Sequence, residues 1–303
     1  MKKLHTLTIC LLLSLSSLGA SPKERREVAE HLQDISVTIK SDGRDSKAEG
    51  SGVLITRNIN GEKVAFVWTC AHVVDNLREV RTVIKDGSPR KIVEFGDVQI
   101  VKELVEGGRR VGEIKMDATV IKFSDAEDLA LLMVRARDYG KASARFYLDK
   151  EETIIPIGTQ LYHVGSLFGQ MGANSMTSGI VSQVGRIQGK VEFDQTTVTA
   201  FPGSSGGGVF LQDGTYVGMI VLGAGEGFNL MVPVRRMRRW AEKHKIVWAL
   251  DPSIKTPSLD KIKELPIENS PSSDDGAGSK PKKKKPPSPK PKKLPFLIGA
   301  TEK

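Results

Sequence analysis

The sequence reads as an all-β protein built from antiparallel barrels, with one helix near the C-terminus and a polar tail. Three observations carry that reading. Short apolar or alternating runs recur along the 303 residues, separated by Gly-rich turns rather than by the helical spacers of βαβ units. One run, Leu129-Ala-Leu-Leu-Met-Val134, is continuously apolar, as a fully buried strand should be. The runs fall into two sets on either side of a crossover over residues 138–153.

A leader comes first. Lys2 and Lys3 precede a short apolar run and then small residues up to Ala20, the pattern of a cleaved signal peptide over 1–20. A membrane anchor is the alternative, but the run falls short of the ~20 apolar residues a spanning helix needs. Export to a bacterial periplasm or medium is the expectation, with no membrane span left after cleavage. Cleavage leaves Cys70 as the one cysteine, so no internal disulfide can form and stability must come from the core. Cys70 itself reads as a small buried hydrophobe, with a nucleophilic role as the alternative.

Residues 22–31 are charged and helix-compatible. A first barrel over about 34–140 takes its strands from 35–39, 53–55, 64–68, 80–84, 98–101, 118–123 and 129–134. Asn60-Gly61 between two of these runs is a strong two-residue hairpin signal. Residues 103–111 read as an extra hairpin. A second barrel over about 150–235 uses 160–164, 179–182, 196–199, 209–211, 216–221 and 228–232. Pro233 then opens a helix over 234–246. Val234, Met237, Trp240 or Ala241, and Val247 share one face. Arg235, Arg236, Arg238 and Arg239 mark the other, which reads as a solvated face; a basic binding face is the alternative. The folded domain is therefore expected over 21–250.

Residues 251–303 are dominated by Pro, Ser, Asp, Gly and Lys. They cannot bury enough apolar surface to offset chain entropy, so a disordered, partly polyproline II tail is expected. Of the net charge of +9, +8 lies in residues 279–303, which hold nine Lys and one Glu. The body is nearly neutral, so specific nucleic-acid binding is not expected. The tail suits an anionic cell-surface polymer.

The motif of greatest chemical content is Gly203-Ser204-Ser205-Gly206-Gly207. A serine nucleophile needs a base beside it and a turn whose N–H groups face the developing oxyanion. Glycine permits that turn and the close approach of a substrate carbonyl. A glycine-rich surface turn is the bland alternative. Two partners stand upstream: His72 in Thr69-Cys-Ala-His72, and Asp128 at the mouth of the 129–134 run. Asp125 competes with Asp128, and Ser204 with Ser205. Asp128 is preferred because it abuts the apolar strand, and Ser205 because it precedes both glycines. His31, His163 and His244 lack the Ala-His setting and read as structural or surface residues. No His-Glu-x-x-His pattern, paired cysteines, EF-hand loop or Walker loop is present, so no metal and no cofactor are expected.

The order His72, Asp128, Ser205 is that of chymotrypsin-like enzymes. "Thr-Cys-Ala-His", "Asp-Leu-Ala-Leu-Leu" and "Pro-Gly-Ser-Ser-Gly-Gly" resemble the three signatures of chymotrypsin-fold serine proteases, closest to the bacterial high-temperature-requirement (Deg) branch. Gly50-Ser-Gly-Val-Leu-Ile55 and Val164-Gly-Ser-Leu-Phe-Gly169 support the likeness, which covers about 34–240. The tail is too short and polar for the PDZ-type peptide-binding module that often follows such domains. Ser204 stands where the family usually has Asn, and Gly208 where it usually has Pro.

The resemblance implies two six-stranded barrels and a serine endopeptidase acting on protein or peptide substrates through an acyl-enzyme. His72, Asp128 and Ser205 are its catalytic residues, and the N–H groups of Gly203 and Ser205 its oxyanion hole. It places the substrate pocket at Thr199, Val221, Leu222, Gly223, Phe228 and Asn229. That lining is neutral and suits small or medium apolar side chains. A non-catalytic binding protein on the same fold is the alternative, as is a polymer-binding protein acting through its basic tail.

Overall fold

The structure is a computed structural model that describes residues 21–85, 87–137, 139, 142–148, 154–223 and 227–267. Ser21 caps the first helix, α1 (Pro22–Asp34). Its hydroxyl accepts from the Glu24 N–H (3.2 Å) and the Glu24 carboxylate accepts from the Ser21 N–H (2.6 Å), so two orphan donors are met reciprocally. The helix is charged outside but delivers Leu32 and, at its end, Ile35 to the core, where neither is exposed.

Strands β1 (Ser36–Asp42), β2 (Lys47–Ile59) and β3 (Glu62–Thr69) follow. Between β2 and β3, Asn60 and Gly61 have φ of 53° and 92°, the left-handed pair that a tight hairpin demands. Next come β4 (Arg78–Lys85), β5 (Ser88–Phe95), β6 (Val98–Glu106), β7 (Arg109–Ser124) and β8 (Leu129–Arg137). Six of these close a barrel in the order β1-β2-β3-β8-β7-β6. Ile39, Ile55, Phe66, Ile100, Leu129 and Leu131 fill it.

Residues 80–84, expected in the barrel, are not part of it. They belong to β4, which pairs with β5 in a separate two-stranded sheet. Their alternation mimics a buried strand, yet Val80 and Ile84 face solvent, and Arg81 reaches diagonally across to Glu94 in an ion pair (3.2 Å). The hairpin expected at 103–111 is the long outer end of β6–β7, reversing at Gly107-Gly108.

The second ring is formed by β9 (Arg145–Phe146), β10 (Gln160–Leu167), β11 (Gly172–Gln188), β12 (Val191–Thr196), β13 (Gly208–Phe210), β14 (Thr215–Gly223) and β15 (Asn229–Pro233). The order is β13-β10-β11-β12-β15-β14, and β13 also pairs with β14, which closes six strands; β9 is added parallel to β14. The strand expected at 196–199 ends at Thr196. Beyond it the Thr197 hydroxyl accepts from the Ile180 N–H (2.9 Å) and draws the chain out of the ladder toward the cleft.

Helix α2 (Val234–Lys243) buries Val234, Met237, Trp240 and Ala241. The arginine face expected to be solvated is half buried. Arg235 is 8% and Arg236 3% exposed, because both are consumed in ion pairs with β12 and with the turn before β8.

The chain then returns to the first barrel. Arg57 Nε donates to Trp248 O (2.7 Å), Trp68 Nε1 to Ala249 O (3.0 Å), and Trp248 meets Phe66 edge-on at 4.9 Å. A short α3 (Leu259–Lys263) buries Ile262. Lys122 Nζ donates to Pro266 O (2.6 Å) and the Phe123 N–H to Ile267 O (2.9 Å). The folded chain therefore runs to at least Ile267, past the boundary expected at 250. The error has a physical cause: polar residues 251–258 precede a few apolar anchors, Ile262, Leu265 and Ile267, too sparse to register as an element. The signal peptide expected at 1–20 and the Lys/Pro-rich segment lie outside the described residues. Among the described residues, no helix is long and apolar enough to cross a membrane.

Candidate active site

Three elements converge on a cleft of about 770 Å³ that His72, Asp128 and Ser205 all line. β3 ends at Thr69 and the chain turns through a 3-10 segment, Ala71–Val73, that buries Ala71 and Val73. His72 is left facing out from that turn. Asp128 stands at the start of β8 with φ of 50°, an unusual conformation for a residue with a side chain. Its N–H donates to Asp125 O (3.2 Å).

Asp128 accepts from His72 twice, from the backbone N–H (Oδ1, 3.0 Å) and from ring Nδ1 (Oδ2, 2.8 Å). An ionised carboxylate can only accept, so Nδ1 carries the proton and Nε2 presents its lone pair to the cleft. Asp125 is exposed and does not line the cleft.

Ser205 sits in the turn before β13. Its Oγ donates to Val221 O at 3.5 Å and makes no hydrogen bond to His72. Ser204, its neighbour, is buried and works locally: its Oγ accepts from the Phe201 N–H (3.1 Å). The turn is bolted to the first barrel, since Ser205 O accepts from the Ser51 N–H (2.7 Å). Gly206, at φ 86°, presses on Ser51 O and Thr69 Oγ1, so no side chain fits there.

The N–H groups of Gly203 and Ser205 have no acceptor among the described residues. The direction of the Gly203 N–H is set from outside the turn, whereas the Ser205 N–H belongs to the Ser204–Ser205 peptide, whose carbonyl accepts from the Gly207 N–H (2.9 Å) within it. The Pro202–Gly203 peptide turns its carbonyl to the Phe168 N–H (2.7 Å), which aims its N–H the opposite way. The next carbonyl, Gly203 O, accepts from Ser51 Oγ (2.7 Å), and Ser51 Oγ accepts from the Ser166 N–H (2.7 Å). Ser51 was visible in the sequence as part of Gly-Ser-Gly, but nothing local marks its hydroxyl as the clamp on a loop 152 residues away.

Thr199, Val221, Leu222 and Gly223 line the cleft. Phe228 and Asn229 do not. Asn229 is fully buried behind Gly223 and donates to Val198 O (2.6 Å), because its register opposite Gly223 turns it into the sheet. Phe228 lies under the Arg186 guanidinium, 5.5 Å from its ring centre. Gln188, Phe193, Ala200, Phe201 and Pro202 complete the lining. Gln188 and Phe193 come from the β11–β12 hairpin, whose long-range placement short motifs do not encode.

Cys70 lies beneath the dyad, its Sγ within 4.8 Å of His72 and Asp128 ligand atoms. Its thiol donates to Ile220 O (3.3 Å). Burial first, and then the Asp128 charge, push its pKa well above the ordinary thiol range, which suits a packed thiol. His163 is fully buried against Gly165 and Gly207, with Nδ1 donating to Gly208 O (3.0 Å); burial lowers its pKa to about 4.

Two six-stranded rings with a His, an Asp and a Ser at a shared cleft define the chymotrypsin-like double-barrel class. Residues 50–219 match the trypsin-like peptidase domain, and the chain belongs to that family. It is 29% identical over 178 residues to a Halomonas elongata protein named "Probable periplasmic serine endoprotease DegP-like", covering 58% of this chain and 29% of that one. It is 26% identical over 204 residues to human "Serine protease HTRA4", covering 65% and 35% respectively. The chain thus spans about a third of the length of the curated relatives it matches. The crystal structure of a serine endoprotease from Yersinia pestis shares the fold, with a TM-score of 0.52 at 18% identity, over 74% of this chain and 67% of that one.

Proposed function

We propose that the protein is an exported bacterial serine endopeptidase. The observation that carries the reading is the His72–Asp128 dyad, fixed in the tautomer a general base needs, across one cleft from Ser205 in a turn with two unclaimed N–H groups. Ser205 attacks the scissile carbonyl. His72 takes its proton at Nε2 and returns it to the leaving amine, while Asp128 holds the ring and stabilises the imidazolium. The N–H groups of Gly203 and Ser205 receive the oxyanion, each worth roughly 3–4 kcal/mol.

Val221 O has a further part. It accepts from the Ser205 hydroxyl (3.5 Å). An extended substrate pairing along residues 221–223 takes over that carbonyl with its own N–H, and the hydroxyl turns to His72. The neutral lining at Thr199, Ala200, Phe201, Val221 and Leu222 favours small or medium apolar side chains before the scissile bond, since an unpaired charge there loses its hydration without compensation. Export is supported by the leader-like residues 1–20 and by the periplasmic naming of the Halomonas relative.

The test is peptide-library cleavage by the purified protein beside two variants. Ser205→Ala should lower kcat by about 10⁶, and Asp128→Asn by about 10⁴ with the fold intact. Wild-type turnover in the serine variant sinks the triad. A Lys- or Arg-dominated profile sinks the pocket and leaves the triad standing. A folded wild type that neither cleaves nor reacts with a serine-directed fluorophosphonate favours the binding-protein alternative.

A further inference from the structure

Asp128 holds a left-handed backbone conformation, φ 50°, that a residue with a side chain rarely adopts, so something must impose it. The peptide unit joining Glu127 to Asp128 is gripped at both ends. Its N–H donates to Asp125 O (3.2 Å), and its carbonyl, Glu127 O, accepts from Arg236 Nη2. Arg236 also donates from Nε to the Glu127 carboxylate (2.9 Å) and from Nη1 to Glu192 O on β12 (2.9 Å). Its guanidinium lies over the Phe193 ring at 4.7 Å, and Phe193 lines the substrate cleft. One planar fork thus spans the turn of the first barrel and a strand of the second, with its own side chain 4% exposed.

The fork is itself held in place. Helix α2 is anchored by Met237 and Trp240. Next to it, Arg235 pairs with Asp194 (2.7 Å) and Glu192 (2.6 Å), also on β12. A buried arginine that satisfies two backbone carbonyls is a poor choice for stability alone, because its desolvation offsets most of the pairing. It is a good choice for fixing geometry, since the five donors of a guanidinium sit in one rigid plane.

We infer that Arg236 is a positioning residue for the catalytic aspartate: by holding Glu127 O it sets the plane of the Glu127–Asp128 peptide, and so the aim of the carboxylate at His72 Nδ1. This rests on the triad reading above. Arg236 touches neither substrate nor reacting atoms, and acts through Asp128. Lysine has the charge but lacks the fork, so it can satisfy Glu127 or Glu192 but not both with the original geometry.

The experiment compares the full-length protein with Arg236→Met, Arg236→Lys and, as a control on the exposed side of the same helix, Arg238→Met. Two readouts are taken on samples with matched cooperative melting. The first is kcat and KM on a peptide substrate. The second is the low-field proton resonance of His72 Nδ1–H in ¹⁵N-histidine-labelled protein, which reports the bond to Asp128 without any turnover. Arg236→Met should lower kcat by about 10², the scale of a displacement near 1 Å, with KM changed by less than about threefold. Its low-field proton should shift upfield or vanish, Arg236→Lys should recover part of both effects, and Arg238→Met should behave as wild type.

An Arg236→Met protein with kcat within about twofold of wild type and an unshifted low-field proton overturns the inference. If that variant does not fold, Arg236→Lys is judged by the same two criteria. If the wild type proves inactive, the endopeptidase reading fails, and the proton resonance alone decides whether Arg236 positions Asp128.

Discussion

At the residue scale, His163 lies buried beneath the turn that carries Ser205, with a folded pKa of about 4 against an ordinary value near 6.5. The unfolded chain therefore binds the extra proton first. Stability is intact above about pH 6.5, falls as pH drops toward 4, and levels off below, with about 3 kcal/mol at stake. Urea unfolding at pH 7 and pH 4.5 checks this. His163→Gln, which does not titrate, should flatten the difference between the two, and an equal slope in both proteins would discard it. The residues proposed to react were legible in the sequence: His72, Asp128 and Ser205 each sit in a short stretch whose composition carries meaning, an apolar run before a histidine, an aspartate before a buried strand, a serine before paired glycines. Ser51, Phe193 and Arg236 act through contacts spanning more than 100 residues, or through a ring face, and no local pattern encodes those.

At the element scale, periodicity read most strands correctly and erred where charge did the work of burial. β4 alternates like a core strand, but its partner is β5 alone, its Val80 and Ile84 face solvent, and Arg81 reaches diagonally to Glu94 in an ion pair. The reverse happened in α2, where four arginines suggested a wet face and two of them are buried in pairs. Helix α1 shows a third case: a charged lead-in of low apolar content carries one residue that matters. Leu32 has no exposed surface and faces Gly214 of the second barrel, while Gln33 beside it donates to Asn174 O (3.2 Å). Leu32→Ala should destabilise the fold by about 2–5 kcal/mol through the lost transfer energy and the cavity left behind. A chemical-denaturation difference under about 1 kcal/mol would mean that α1 is merely laid on the surface.

At the scale of the whole molecule, the two barrels were visible as two sets of runs, but the way the chain ends was not. The segment beyond α2 supplies acceptors to Arg57, Trp68 and Lys122, all of them buried in the first barrel. Truncation after residue 267 should leave melting and peptide cleavage nearly unchanged. Truncation after residue 250 strips Lys122 of its acceptor and uncovers the surface under Ile262, and should lower stability by several kcal/mol, on the order of 3–5. Equal melting temperatures for the two truncations would reject that role. The same arrangement bears on how the protein is made. The barrel synthesised first is finished by residues 248–267, which follow every strand of the second barrel, so it cannot be completed before the second barrel has been made. With its contacts weighted toward such distant pairs, the chain closes late and slowly. Until residues 248–267 are made the first barrel stays open, a state that a narrow channel can thread, as the export proposed above requires.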